Sequence, residues 1–402
     1  MTTTSPFDPD SGSTEAAFSP VAFSPVAFAN ATTTFVLFGT TASLYGPLLI
    51  SFSHRFHLSL PTAGAVLSVH FVGALCGVPL GWWAVKRLHG RTVLAGALVL
   101  MAAGAAGAAA CAAGGHWIAF LASVFVIGLG FGGVDFGLNS LIVRTAPEGR
   151  AHRLSIANAG YGVGAVVGPV LIVAIHPHNF PALFAAIALT ALVLSTLNRG
   201  VSAAPLTVDP RHAQLVGQRA QRRPILVTFI VAYVLYVAAE SSTAGWIAPH
   251  LHRVGYSQSV ASYATAGFWL GLAIGRVLVG PLRQRFSDKR LVLGGLAVTT
   301  VLAFGALVNA LAPYLYPAMG LLIASVYPMG LLWYIELSPH DGDGLALLIL
   351  FMMSGGVIGP ATVSFMVSVA GIHAVPVVIA VFTLADLAVF ASARRFTARA
   401  ST

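Results

Sequence analysis

The chain has 402 residues, 57% of them hydrophobic and only 8% charged. Soluble domains carry about 25% charged residues, so a soluble fold is excluded. Twenty-one Lys and Arg against 12 Asp and Glu leave a net charge of +9, a balance that basic loops at a bilayer face produce. The aromatic residues lie inside apolar runs and not among the basic ones, which disfavours a nucleic-acid surface.

Residues 1–27 are polar and Pro-rich and contain the short repeat AFSPVAFSPVAF; they read as a disordered tail. The tail has no basic n-region, and the apolar run after it is too long for the h-region of a signal peptide, so that run is expected to be retained as a first span. Twelve apolar runs follow, each near the ~20 residues needed to cross a bilayer. They fall at about 28–52, 61–85, 91–112, 116–143, 154–175, 181–199, 224–248, 262–283, 291–311, 314–336, 345–369 and 373–393. Residues 200–223 are the only long polar interruption. The expected organisation is therefore a helical bundle over 28–199, a linker over 200–223, a second bundle over 224–396 and a short tail over 397–402. The fold class is all-α and integral to the membrane, with twelve spans as two six-helix repeats.

The fourth run holds GLGFGGVDFGLNSLIV (residues 128–143), in which small residues four apart let a neighbouring backbone come close. Asp135 and Asn139 lie one turn apart on the same face. A carboxylate in hydrocarbon costs several kcal/mol unless it meets a cavity, a partner or a proton. The seventh run places Tyr233, Tyr236, Glu240 and Thr243 on one face, a polar-solute surface around one acid. Arg276, inside the eighth run, is the natural charge partner of Glu240. Trp82–Trp83 and Trp333–Tyr334 lie near helix ends and read as interfacial anchors. Glu336 reads as hydrated, Asp386 as a structural or interfacial acid, and Cys76 and Cys111 as small core residues.

Placing the N-terminus inside puts eighteen Lys and Arg in the inner loops and two, Arg55 and Arg253, in the outer ones. That asymmetry predicts both termini to be cytoplasmic. The halves also repeat. Gly73, Gly77, Arg87 and Arg91 match Gly271, Gly275, Arg285 and Lys289 at an offset of 198. GAVVGP (Gly164–Pro169) matches GGVIGP (Gly355–Pro360). A six-helix unit used twice is how many secondary transporters build a site between their halves.

With these features the sequence resembles the major facilitator superfamily from residue 28 to 396. WWAVKRLHGR after the second run is similar to that superfamily's loop signature, with Val85 where an Asp is usual and the HGR late. G-x-x-x-G-P resembles the motif of proton-coupled exporters, and it also occurs in importers. GFGGVDFGLN (130–139), YVAAESSTAGW (236–246) and FWLGLAIGR (268–276) resemble the fucose-permease-like branch, many of whose members carry sugars or small polar solutes with protons. The resemblance implies that spans 1, 4, 7 and 10 line a central cavity. Asp135 and Glu240 are then the proton-coupling pair. Asn139, Tyr233, Tyr236, Glu240, Thr243, Trp246 and Trp269 are the candidate solute contacts. Arg87, Arg91, Arg285 and Lys289 are expected in conformational loops.

Each feature has a plainer reading. Asp135 with Asn139 can be an interhelical clasp. Glu240 with Arg276 can be a structural pair, and His70, the one histidine well inside a span, reads first as a satisfied core residue. Eight of the thirteen histidines fall at the outer loops, including the pairs HPH and HLH, a weak metal signal; no metal and no cofactor is expected. No H-E-x-x-H, nucleophile elbow or P-loop is present, so an enzyme is not expected. The function read from the sequence is proton-coupled secondary transport of a sugar-like solute by alternating access, with proton-antiport efflux of a drug or metabolite as the alternative. The expected partners are the solute, protons and the lipid bilayer, not nucleic acid. The expected state is a monomer in a bacterial cytoplasmic membrane.

Overall fold

The computed structural model describes residues 25–85, 87–145, 150–175, 179–197, 219–339 and 341–400. Within them the chain is helical nearly throughout: α1 (Pro25–Arg55), α2 (Leu60–Val85), α3 (Gly90–Gly114), α4 (Trp117–Thr145), α5 (Arg150–Ile175), α6 (Phe180–Leu197), α7 (Arg219–Arg253), α8 (Gln258–Leu282), α9 (Asp288–Gly305), α10 (Ala312–Ile323), α11 (Val326–Leu337), α12 (Gly342–Ala370) and α13 (Ala374–Ala400). Ten stretches among the described residues are long and apolar enough to cross a membrane, Ala312–Leu337 counting as one, and the apolar part of α5 is shorter. The helices coincide with the twelve apolar runs. Most start or stop a few residues outside them, where polar and charged residues build the terminal turns, while α6 and α9 end inside their runs, at Leu197 and Gly305. The tail expected over 1–27 gives way to helix at Pro25, and α7 begins inside the expected linker, at Arg219. The rest of that linker, to residue 218, lies outside the described residues.

The tenth run is one span in two pieces. Pro328, in the first turn of α11, has no N–H for the carbonyl of Ala324, four residues back, and its ring crowds that turn. The chain opens there into a turn at Ala324 and Ser325. The Ser325 hydroxyl ties the break down by donating to the Leu291 carbonyl of α9 at 3.1 Å. Other helix ends follow sequence rules. Ser257 caps α8 by accepting from the Val260 N–H at 3.3 Å, and Gly115 leaves α3 in the left-handed region at φ 75°, where a Cβ would be strained.

Close packing inside each half runs along glycine seams. A Cβ on Gly73 of α2 would meet the Phe125 carbonyl of α4, and one on Gly77 the Leu129 carbonyl. Their counterparts Gly271 and Gly275 of α8 face the Pro317 and Leu321 carbonyls of α10 in the same way. Gly164 of α5 lies on the Val36 carbonyl of α1, and Gly355 of α12 on the Val234 carbonyl of α7. Val36 and Val234 are again 198 apart, so the repeat in the sequence is a repeat in the packing. The chain thus forms two six-helix bundles with the same internal contacts.

The two halves meet closely toward the α1–α2 and α7–α8 end. The Ala244 carbonyl lies 2.7 Å from where a Cβ on Gly46 would stand. A Cβ on Gly64 of α2 would meet both Trp246 of α7 and the Ser364 hydroxyl of α12, and Phe71 covers Gly356. The Ser68 hydroxyl donates to the Val357 carbonyl at 2.9 Å, and the Gln258 amide donates to the Pro47 carbonyl at 2.9 Å. That end of the molecule is closed.

Three expectations are corrected. Trp333 and Tyr334 are not interfacial anchors, since both are fully buried. α11 is packed among α7, α9 and α13, with Trp333 stacked on Phe390 at 5.9 Å and the Tyr334 hydroxyl donating to Asp341 at 2.8 Å. Cys76 is exposed and not a core residue. Asp386 is fully buried and so not interfacial; neither of its oxygens has a hydrogen-bond partner.

Candidate functional site

α4, α5, α7, α8 and α11 converge on one polar cluster inside an otherwise apolar bundle. α7 supplies Tyr236 and Glu240, one turn apart. α8 supplies Arg276, two turns after Trp269 on the same face. α4 supplies Asp135, α5 supplies Tyr161, and α11 supplies Tyr327 just beyond the broken turn. Tyr161 feels the charges of Glu240, Arg276 and Asp135, and Tyr327 feels the same three. Arg276 feels Tyr236, Glu240 and Tyr327. Asp135 and Glu240, one from each half, are therefore brought into one electrostatic neighbourhood with Arg276.

Asp135 and Glu240 are half-buried and Arg276 is exposed. Tyr161 of α5, Tyr236 and Glu240 of α7 and Tyr327 of α11 lie around its guanidinium. Tyr236 has 1% of its surface exposed. Its hydroxyl stands within reach of Glu240 and Arg276 without completing a well-formed bond to either. Trp269, 6% exposed, packs edge-on to Tyr161 at 6.0 Å across the two halves, and its ring N–H is likewise without an acceptor. No carboxylate oxygen of a described residue lies within 4.0 Å of Arg276; the ion pairs seen among the described residues are Arg283–Asp288 and Lys289–Glu336. Glu240 and Arg276 thus lie near each other without forming a contact ion pair.

Of the other expected site residues, Tyr233 borders this cluster, edge-on to Tyr236 at 6.2 Å, and Thr243 and Trp246 lie outside it. Tyr233 is fully buried, donates to the Tyr327 carbonyl at 2.6 Å and packs on Phe390. Thr243 is buried and donates back to the Ala239 carbonyl at 2.7 Å. Trp246 is fully buried in the closed end. The side chain of Asn139 lies outside the described residues. Of the loop residues, Arg87 stacks on Trp83 at 4.7 Å, Lys289 pairs with Glu336 at 3.1 Å, and Arg91 and Arg285 are exposed.

Sequence reasoning missed Tyr161 and Tyr327. Tyr161 sits in a glycine-rich stretch with no acid nearby in sequence, and Tyr327 is carried inward by the helix break. The Tyr-Pro pair at 327–328 was the one local signal that the second could have given. His70 is a buried core residue whose Nδ1 lies 3.2 Å from the Tyr45 hydroxyl. His250 of the HLH pair is buried too, its Nδ1 2.8 Å from the Tyr316 hydroxyl. Among the described residues, no group of three or more His, Cys, Asp or Glu could hold a metal; the HPH pair lies outside them.

Two relatives and several solved structures resemble the chain. Bypass of stop codon protein 6 of Saccharomyces cerevisiae is 24% identical over 183 residues, which is 40% of this chain and 37% of that protein. The chain thus spans well under half the length of that relative. The glucose/mannose transporter GlcP of Bacillus subtilis is 22% identical over 330 residues, 78% of this chain and 80% of that one. The crystal structure of a D-xylose-proton symporter superposes with a TM-score of 0.73 at 17% identity, covering 89% of this chain and 96% of the other. FucP in its outward conformation superposes at 0.62 with 19% identity, covering 91% and 98%. A profile of the Major Facilitator Superfamily matches residues 31–241. With that match, the paired glycine seams and the polar cluster between two six-helix halves, the chain belongs to the Major Facilitator Superfamily.

Proposed function

We propose that the chain is a proton-coupled secondary transporter that moves a small, polar, sugar-like solute by alternating access. The observation that carries this reading is the convergence of Asp135, Tyr161, Tyr236, Glu240, Arg276 and Tyr327, from both halves, on one polar cluster. The names of the relatives, a glucose/mannose transporter and sugar-proton symporters among them, support the solute class. Asp135 is the proton site: an acid in an apolar, glycine-stepped run offsets its desolvation by taking up a proton. Glu240, beside the Tyr236 hydroxyl, holds the solute. The loop charges orient both termini to the cytoplasm, which makes the closed end the outer one. We further propose a monomer in a bacterial cytoplasmic membrane.

The test is purified protein in liposomes, scanned for solute-dependent proton movement. Asp135→Asn is expected to keep solute binding and lose accumulation driven by a proton gradient. Glu240→Gln is expected to weaken binding roughly ten- to hundredfold, the scale of a hydrogen bond to a charged group. Accumulation by Asp135→Asn with unchanged proton stoichiometry would remove it as the proton site.

A further inference from the structure

The polar cluster has a chemical imbalance. Arg276 offers five N–H donors in a planar fork. It is exposed, and no carboxylate oxygen of a described residue lies within 4.0 Å of it. Tyr236 and Trp269 add two buried donors without acceptors. A buried donor left unmade costs about 1–3 kcal/mol, and a cargo that brings an acceptor to Tyr236 or Trp269 offsets that cost. What the Arg276 fork lacks among the described residues is a carboxylate in contact with it.

Resting on the transport reading above, we infer that the cargo of this site is a carboxylated sugar, with Arg276 binding its carboxylate through the guanidinium fork. A carboxylate presents two oxygens that match the fork bidentately, which a sugar hydroxyl does not. The rest of the solute fits the same surroundings. Its hydroxyls meet Glu240 and the Tyr236 hydroxyl, and its apolar ring face lies against Trp269. The charged and titratable groups facing this place are Asp135 of α4, Tyr161 of α5, Tyr236 and Glu240 of α7, Arg276 of α8 and Tyr327 of α11.

The experiment uses the full chain, purified, with matched pairs of solutes: D-glucose against D-glucuronate, D-galactose against D-galacturonate, and D-gluconate alone. Binding is read by titration calorimetry and transport in proteoliposomes. A bidentate charged contact predicts at least one uronate or gluconate binding roughly tenfold or more tightly than any neutral hexose. Arg276→Gln abolishes that preference, weakening carboxylate binding at least about tenfold more than hexose binding, and Arg276→Lys restores part of it because the charge remains without the fork. Should Arg276→Gln fold poorly, Arg276→Lys and the wild-type ratio still decide. Neutral hexoses transported as well as or better than every carboxylate overturn this inference and leave the transport reading standing. A carboxylate preference that survives Arg276→Gln overturns it as well. Proton movement with none of these solutes, and binding of none, removes both.

Discussion

Asp386 is the most exposed to test at the scale of single residues, because it has no visible employment. Both of its oxygens are buried without a hydrogen-bond partner, beside Tyr233 in the core of the second half. Replacing an unpartnered polar group by an apolar one of similar shape is often neutral or stabilising. Asp386→Val is therefore expected to hold or raise the melting temperature in detergent, read by tryptophan fluorescence. A fall of more than a few degrees would reveal a buried partner or ion at that carboxyl. Trp333 predicts the opposite. It is fully buried and stacked on Phe390, so Trp333→Ala costs about 3–5 kcal/mol. The sequence made the ionisable residues of the site legible, since an acid or arginine inside an apolar run announces itself. It did not make Tyr161, Tyr327 or the burial of Trp333 legible. A tyrosine in a hydrophobic helix is unremarkable until the packing shows which way it faces.

Elements were legible almost completely, because a bilayer leaves helices as the one way to satisfy an isolated apolar segment. The seams were legible for the same reason. Only glycine lets helix backbones touch, and the paired glycines at an offset of 198 mark the touching faces. Gly73→Val and Gly271→Val are each expected to destabilise the fold by about 1–3 kcal/mol or more through overpacking, with matching losses in the two halves. Gly96→Ala is the control. No atom lies within 4 Å of a Cβ there, so it should be neutral or gain up to about 1 kcal/mol from helix propensity. Equal losses at Gly73 and Gly96 would contradict the seam. The broken tenth span was not foreseen. Pro328 signalled it, but prolines are also tolerated within unbroken spans here, as Pro79 and Pro360 are.

For the whole molecule, the closed end is a conformational statement. Labels at Ser59 and Ser257, in the loops joining α1 to α2 and α7 to α8, are expected to lie close in the resting protein. Labels at Leu88 and Gln284, in the loops at the other end, separate and approach in turn as solute and protons are added. Paired spin-label distances measure both. Gly46→Trp should wedge α1 from α7, where the Ala244 carbonyl lies against Gly46, and lengthen the 59–257 distance. An unchanged distribution would mean that this contact does not hold the end shut. Ser59 and Ser257 also test topology: labelling of cysteines there by impermeant reagents in intact cells places them outside.

The break at Ala324 and Ser325 has a mechanical consequence. Its counterpart in the first half, α4, runs unbroken from Trp117 to Thr145, so the two halves are alike in packing but not in stiffness. The first behaves as an anvil and the second carries a joint level with the site, with Tyr327 mounted on its far side. Strain from a bound solute is then relieved by bending α11 against α10 and not by reshaping α4. Amide exchange should show it, with residues 322–329 opening faster than residues 124–131 and slowing when cargo fills the site.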